Sequence, residues 1–594
     1  MAAFGAKTLA EAFQQTVAGN GDGVALRTKD DEVSLTWAEY DERVRRVAAG
    51  LAALGVGRGD TVGIMLVNRP EFHFADTAAL HLGAIAFSIY NTSTAEQASY
   101  LLGDAANRVV FTERAFLDTV LEARDGGTAV EHVVVVDGEA GEGTLTLEQL
   151  EARGEGDFDF EAAWRAIEPE DLLTLIYTSG TTGPPKGVQL SHAAMMAALR
   201  SFDQLLPLDA GGRVISWLPM AHIAERNVSQ YLPMVSGAAV TCCPDPRQVV
   251  AYLAEVRPTW FFAVPRIWEK LMAAMEVGFA AEQDEAKQQA IQWALNVGRR
   301  RVRAEQAGEE LSEELRAEHA KADELVLSKL RERIGLDRLD AVNVGAAPSP
   351  PEVIEFFHAI GVPLAELWGM SETCAAGTCN PRERIKIGSV GPAAPEVELK
   401  LADDGEILVR GPMTMLGYRN DPEKTAETID GEGWLHTGDV GELDEDGYLR
   451  IVDRKKELII NSAGKNMSPA NIEAKIKAAS PLIGQVCAIG DDRPYNVALI
   501  VLDPDAAPAF AAEHGLEGGD FEALAVDPAV LEEVAAGVER GNEALARVEQ
   551  IKKFKLLGAD WQPGGVELTP TMKLKRRPIE HRYESEIEAL YASG

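Results

Sequence analysis

Residues 172–192, LLTLIYTSGTTGPPKGVQLSH, limit what this chain can fold into more than any other stretch, because an apolar run of strand length empties into hydroxyl-bearing and glycine residues closed by a lysine. Residues 172–177 have the length and character of a buried strand. Thr178, Ser179, Gly180, Thr181, Thr182 and Gly183 then follow, with no bulky side chain to hold an anion away. Backbone N–H groups and the loop hydroxyls can converge there on phosphoryl oxygens, with Lys186 as the counter-charge. Pro184 and Pro185 keep a helix from starting directly, and Gly187 stands after Lys186 where a Walker loop has Ser or Thr. The loop is therefore a phosphate cradle of another design.

The rest of the composition says what surrounds such a loop. A chain of 594 residues, 46% apolar and 25% charged, is expected to fold as two or more globular domains. Its 57 basic and 94 acidic residues leave a net charge of -37, which excludes wholesale binding to nucleic acid or anionic lipid. An anionic substrate must be drawn in by a local basic cluster. Cys242, Cys243, Cys374, Cys379 and Cys487 show neither a C-x-x-C pair nor zinc spacing, which suits free thiols in a reducing cytoplasm. The first fifteen residues lack the apolar core of a signal peptide, and the richest apolar stretch, residues 228–243, is interrupted by Gln230 and Pro233. A cytoplasmic protein is expected, with peripheral contact at the inner membrane face left open and the oligomeric state unread.

Along the chain, residues 8–113 alternate helical and strand-like segments, with residues 35–56 an amphipathic helix and 60–65 a short strand, so a layered α/β fold with a mainly parallel sheet is expected. Residues 120–165, acidic and glycine-bearing, read as surface connections without chemistry. Residues 275–333, rich in Ala, Glu and Arg, read as two or three long helices, and residues 503–548 as surface helices.

The ten residues TSGTTGPPKG resemble the phosphate-binding signature of the adenylate-forming superfamily, which includes acyl-CoA synthetases, carrier-protein adenylation domains and luciferases. Other segments are similar to family landmarks: Asn68-Arg69-Pro70-Glu71, His81-Leu82-Gly83-Ala84, the L-P-x-x-H segment ending at His222, the strand and turn at residues 262–270, and Leu367-Trp368-Gly369-Met370-Ser371-Glu372-Thr373, where the family motif is Y-G-x-T-E. The helical block, placed at about 275–335, resembles the insertion of long-chain synthetases. The resemblance implies an α/β fold with a large, multi-subdomain N-terminal adenylate-forming domain (1–454) and a small, mobile α+β C-terminal domain (455–594).

It also implies roles. Gly345 and Ala346 would lie beside the adenine, with Trp368 stacking on it and Gly369 and Ser371 completing the turn. Glu372 would hold Mg²⁺, a hard cation that prefers carboxylate and phosphate oxygens. Asp439, in Trp434-Leu435-His436-Thr437-Gly438-Asp439, would accept from both ribose hydroxyls, with Arg454 as the second ribose and phosphate contact. Lys456 would be the hinge, Gly464 would border the pantetheine channel, and His222 would line the carboxylate end of the acyl pocket. Lys573 falls on the family's catalytic lysine, although Thr571-Met572 replace the usual Ser-Gly and Lys575 would share its face in an extended segment. The implied catalytic set is Lys573, Glu372, Thr178 and His222.

The implied reaction has two steps. A fatty carboxylate attacks the α-phosphate of ATP to give acyl-AMP and pyrophosphate. The small domain then swings about Lys456 and CoA takes the acyl group, releasing AMP. A long chain is energetically sensible, since about 0.8 kcal/mol per buried methylene gives around 10 kcal/mol for a palmitoyl-sized tail. Two alternatives remain: a ligase loading a carrier protein, and a non-catalytic nucleotide- or lipid-binding homologue.

Overall fold

The computed structural model describes every residue except 1, 155, 157, 179–183, 207, 209, 463, 464, 517–519, 570, 571, 593 and 594, and for Asn466 the backbone alone. Its largest layer is an eight-stranded sheet. The strands Thr61–Met65, Ile85–Ser88 and Val109–Thr112 are buried at every residue and mutually parallel about the first, the pattern of a sheet covered on both faces. Helices Pro70–His81 and Ala95–Ala105 make the crossovers.

Residues 120–165 do more than connect. His132–Val135 and Thr144–Thr146 continue the sheet in parallel, and Val133, Val134 and Val135 are buried. Strands of four and three residues are too short for their period to stand out among the acidic and glycine residues around them.

On the other side of the sheet, Leu172–Thr178 runs parallel to Ile85–Ser88 and pairs antiparallel with Lys186–Ser191. The two prolines therefore lead into a returning strand. Gly417–Tyr418 adds the last, antiparallel strand beside Lys186–Ser191.

A second sheet carries Trp260–Ala263, Ala341–Val344 and Ala365–Trp368 in parallel, with Thr378–Cys379 as an antiparallel neighbour. Residues 262–270 pass from strand into helix and not through a turn, because Pro265 occupies the first turn of Pro265–Ala280, where its missing N–H costs nothing. Trp268 is wholly buried, its ring edge-on to Phe261 and Phe357, so this aromatic is core.

The expected helical block is Glu285–Gln306, Glu313–Ala322 and Ser328–Arg333, the last two joined by a π-helical turn. These helices share a small core of Ala294, Val297, Leu315, Ala322 and Leu327, while Leu295 packs into the core beneath the sheet. The strands Glu398–Leu401, Glu406–Arg410, Leu435–Leu443 and Leu449–Arg454 form an antiparallel layer at the end of the large lobe.

The C-terminal lobe is built on Ile483–Ile489, Asn496–Leu502 and Ile551–Leu557. Along Asn496–Leu502, Ala498, Ile500 and Leu502 face one core and Val497, Leu499 and Val501 the other, the two-residue period of a strand buried on both sides. Helices Pro469–Ala478 and Pro528–Glu543 cover the first face, and Arg576–Arg582 and Glu584–Ala592 the second. Residues 503–548 thus supply Val530, Val534 and Val538, at i, i+4 and i+8, to the interior as well as forming surface.

Ion pairs tie the small lobe to the large one: Arg266 with Asp503, Lys270 with Asp505, and Lys475 with Glu352 at 3.4 Å. Among the described residues, no helix is long and apolar enough to cross a membrane.

Candidate active site

The phosphate loop is held at its base by the last pair of the antiparallel ladder, Thr178 opposite Lys186. Ser179, Gly180, Thr181, Thr182 and Gly183 lie outside the described residues. The Lys186 ammonium stands 5.4 Å from the centre of the Tyr418 ring, a cation–π distance. Its pKa is lowered, first by loss of hydration and then by the neighbouring cations Lys424 and Lys456, with Asp421 and Glu372 opposing. The Tyr418 hydroxyl donates to Glu372 Oε1 at 2.9 Å. Both residues are buried, at 8% exposure, so one phenol links the loop lysine to the carboxylate expected to meet magnesium.

Glu372 sits where the second sheet ends. Ala341–Val344 exits into Gly345 and Ala346, and Ala365–Trp368 into Gly369 and Ser371. A Cβ on Gly369 would lie 2.1 Å from the Ala375 carbonyl oxygen, so no other residue fits without moving backbone. Ala346, Cys374 and Ala375 all have φ between 52° and 68°. Three non-glycine residues in the left-handed region at two adjacent strand exits mark a locally strained segment of the sort found where backbone is shaped around a ligand.

Asp439 lies across the cleft, 5% exposed. Its Oδ2 accepts from Trp368 Nε1 at 2.9 Å, and its Oδ1 lies 2.9 Å from Arg454 Nε. Strand pairing sets Asp439 directly opposite Arg454, which places carboxylate and guanidinium side by side without long loops. Lys456 follows in an exposed turn. Gly464 lies outside the described residues, between the paired strands Ile459–Ile460 and Asn466–Met467.

His222 and Lys573 complete the group. His222 N-caps the short helix Ile223–Glu225, its Nδ1 accepting from the Ala224 N–H at 3.2 Å. Burial, and then the nearby Lys573 ammonium, push its pKa down to about 4, so the ring is neutral at pH 7. Lys573 reaches the same place from the other lobe. Thr569 N–H donates to the Lys573 carbonyl at 2.8 Å, Lys573 N–H donates to Thr569 Oγ1 at 2.9 Å, and Met572 has φ 64°.

Thr569 and Lys573 are therefore bonded to each other and Lys573 is not part of an extended run with Lys575, so the two lysines part company. Lys575 Nζ donates to the Gly565 carbonyl at 2.7 Å within its own lobe. Lys573 is open to solvent yet ringed by protein, as a group in an open cleft is. Its pKa is lowered, by lost hydration first and Arg454 next, against Asp439, Glu457 and Glu372.

Thr178, Lys186, Glu372, Asp439, Arg454, His222 and Lys573 thus converge, with Trp368 and Gly345–Ala346 on one wall. Among the described residues, no group of three or more His, Cys, Asp or Glu could hold a metal ion. A lone carboxylate fits a Mg²⁺ that arrives coordinated to substrate phosphates, since Mg²⁺ is commonly bound by one or two carboxylates plus phosphate.

Two residues that sequence reasoning passed over belong here. Tyr418 lies in Leu416-Gly417-Tyr418-Arg419, where no local pattern marks it. Glu225 is fully buried. It accepts from the Trp217 and Leu218 N–H groups at 3.0 and 3.1 Å, from Ser229 Oγ at 2.8 Å and from Asn68 Nδ2 at 3.3 Å. It pins the segment that carries His222. Its presence three residues after His222 was the available signal.

Comparison with known proteins identifies the family. The model of the AMP-binding enzyme family matches residues 13–419, and that of the AMP-binding enzyme C-terminal domain matches residues 456–594. A Mycobacterium tuberculosis protein provisionally assigned as fatty-acid–CoA ligase fadD11 is 55% identical over 453 residues, 76% of this chain and 79% of that one. The long-chain-fatty-acid–CoA ligase FadD15 of Mycobacterium bovis is 36% identical over 568 residues, 94% of this chain and 92% of its own. Among solved structures, O-succinylbenzoate coenzyme A synthetase from Bacillus subtilis, in complex with ATP and magnesium ion, superposes with a TM-score of 0.68 at 22% identity, over 95% of this chain and 98% of that one. The chain belongs to the AMP-binding enzyme family, the adenylate-forming superfamily, in its fatty acyl-CoA synthetase branch.

Proposed function

We propose that the chain is an AMP-forming fatty acid–CoA ligase: it joins a long-chain fatty acid to ATP as acyl-AMP, releases pyrophosphate, and passes the acyl group to CoA. The observation that carries this reading is the position of Lys573. A cation of the small lobe stands among Asp439, Arg454, Glu372 and His222 of the large lobe, and binding a nucleotide alone would not need it there. The names of the relatives, fatty-acid–CoA ligases both, supply the substrate class.

In the first step Lys573 neutralises charge between the fatty carboxylate and the α-phosphate, and the Thr178–Lys186 loop holds the departing β and γ phosphates. Asp439 and Arg454 hold the ribose, Trp368 lies against the adenine beside Gly345 and Ala346, and Gly369 and Ser371 shape the turn that presents Glu372 to the Mg²⁺ of MgATP. The neutral His222 ring lines the carboxylate end of the acyl site without adding charge. In the second step the chain pivots at Lys456, the small lobe from residue 455 onward turns, and the loop bearing Gly464 borders the thiol's approach. No covalent enzyme intermediate is required. All five cysteines are buried, which leaves none as an exposed nucleophile.

The test separates the two half-reactions. Lys573→Ala should lower acyl-AMP formation by about 10² to 10³, the usual loss of one charge stabiliser, while thioester formation from supplied acyl-AMP and CoA survives. Equal loss in both halves would remove Lys573 from the role. Absence of AMP from the wild-type chain given palmitate, MgATP and CoA would remove the ligase reading itself.

A further inference from the structure

The strands that deliver Ala346 and Trp368 to the nucleotide cleft have opposite, entry ends, and a separate cavity of about 180 Å³ lies there. Leu336, Asp337 and Leu339 lead into Ala341–Val344, and Gly361 and Pro363 into Ala365–Trp368. Four residues of strand, at about 3.3 Å each, separate this cavity from the cleft. Its remaining walls are Arg301 and Arg331 from the helical block, Arg382, and His358.

Charge makes this cavity unusual in a chain of net charge -37. Three guanidinium groups face one carboxylate, and that carboxylate is already taken: Asp337 is held at both oxygens by Arg257 from outside the cavity. Arg331 is fixed by Asp323, at 2.6 and 3.1 Å, and by the Ile360 carbonyl at 2.8 Å. Arg301 and Arg382 are far less committed.

Arg301 Nη1 meets His319 Nε2 at 3.2 Å and its Nε pairs with the Glu305 carboxylate at 3.3 Å, which among the described residues leaves Nη2 for a ligand. Among the described residues, Arg382 spends Nη1 alone, on the Asp340 carbonyl at 2.5 Å. His358 donates from Nε2 to the Leu364 carbonyl at 2.9 Å, and burial together with Arg301 keeps the ring neutral. A guanidinium edge that protein oxygens leave open has an oxyanion as its natural partner.

We infer that this cavity is an anion site for a phosphoryl group, filled by free phosphate or by the phosphate of a small metabolite. The planar guanidinium forks of Arg301 and Arg382 match phosphate oxygens, while Arg331, locked by Asp323, sets the third side. At about 30 Å³ per water, the volume admits a phosphate with a few carbon atoms and excludes a nucleotide. The site is remote from the Lys186 loop and does not depend on the reaction proposed above.

Calorimetric titration of the full chain with inorganic phosphate tests this, with and without a saturating non-hydrolysable ATP analogue and Mg²⁺ to cover the nucleotide cleft and its phosphate loop. The wild type should bind phosphate in the presence of the analogue. Arg301→Gln/Arg382→Gln should weaken that binding about ten- to a hundredfold, the loss of charge-assisted hydrogen bonds, with AMP binding unchanged as evidence of folding. Arg382→Gln alone, a change at an exposed position, should weaken it in the same direction and serves if the double variant does not fold. A parallel titration with glycerol 3-phosphate separates the two sources: tighter binding than phosphate assigns a metabolite, and equal or weaker binding the free ion. No phosphate binding once the ATP analogue is present, or equal affinity in wild type and Arg382→Gln, would overturn the site.

Discussion

Removing the Tyr418 hydroxyl isolates the link between the phosphate loop and the carboxylate assigned to magnesium. Tyr418→Phe keeps the ring, and with it the face that Lys186 approaches at 5.4 Å, but deletes the 2.9 Å hydrogen bond to Glu372. Both groups are 8% exposed, so water can replace the donor only in part. A hydrogen bond to a charged group contributes about 1.5 to 3 kcal/mol, and about 1.4 kcal/mol corresponds to a tenfold change in rate. Acyl-AMP formation should therefore fall by roughly ten- to a hundredfold, more severely at low Mg²⁺ than at high, because the carboxylate loses the contact that orients it. Palmitate-dependent pyrophosphate–ATP exchange at graded Mg²⁺ measures this directly. A double-mutant cycle with Glu372→Gln should give a coupling energy within the same range. If Tyr418→Phe exchanges as fast as wild type at every Mg²⁺ concentration, or if the two substitutions are additive, the phenol does not act through Glu372.

Other expectations follow from the same geometry. Lys575→Ala should change acyl-AMP formation by less than about threefold in the exchange assay, since its amine is spent on the Gly565 carbonyl in its own lobe, a part-buried hydrogen bond that bears on that lobe and not on the reacting groups. A block stronger than that of Lys573→Ala would exchange the two lysines' roles. Acid stability has a definite sign. His73, His81, His192 and His222 are held at about 4 by burial, so near pH 5.5 the unfolded chain binds about four protons there that the folded chain does not. Glu225 and Glu366, pushed up to about 7 by burial, keep about two protons in the folded state that the unfolded chain loses. Among these six groups the histidines outweigh the glutamates, so their contribution to stability should rise with pH between pH 5 and 6. The thermal midpoint should drop on acidification across that interval, and a flat or rising midpoint contradicts the assignment.

Much of the fold could be read in the sequence wherever the local signal is long or chemically sharp. The apolar run before the phosphate loop, the seventeen-residue helix Trp37–Ala53 with its Thr36 capping box, and the helical block all carry enough periods to be legible. The strands His132–Val135 and Thr144–Thr146 do not, because their place in the sheet is decided by partners distant in sequence.

The candidate site divides in the same way. Asp439 and Arg454 are legible from their motifs and brought face to face by strand register. Tyr418 is not, since its importance arises only when a two-residue strand docks beside Lys186–Ser191 and points a phenol at a glutamate 46 residues away. The separation of Lys573 from Lys575 was likewise hidden. Spacing puts both on one face of an extended strand, but a positive φ at Met572 and the hydrogen bonds between Thr569 and Lys573 turn one toward the cleft and leave the other on its own lobe.

The cations of the cleft work against one another before substrate arrives. Lys186 is depressed partly by Lys424 and Lys456, and Lys573 partly by Arg454. Lys186, Lys424 and Arg454 belong to the large lobe and Lys456 and Lys573 to the small one, in a protein whose overall charge is negative, so the repulsion is local and is relieved by an anion placed among them. ATP supplies that anion, and each positive group should then hold its proton more firmly.

The consequence appears in the pH dependence of adenylation. A lysine with a lowered pKa is charged below that value and loses its charge as pH rises through it, so the alkaline limb of kcat/KM, which reports the free enzyme, should lie below the ordinary lysine value of 10.5. The limb of kcat, which reports the ATP complex, should lie above that of kcat/KM, because bound phosphates restore the charged forms. Exchange rates measured from pH 7 to 10.5 at low and saturating ATP distinguish the two. Coincident limbs, or a kcat limb displaced to lower pH, would mean that phosphate does not settle among these cations, and the cleft's crowding of positive charge would need another cause.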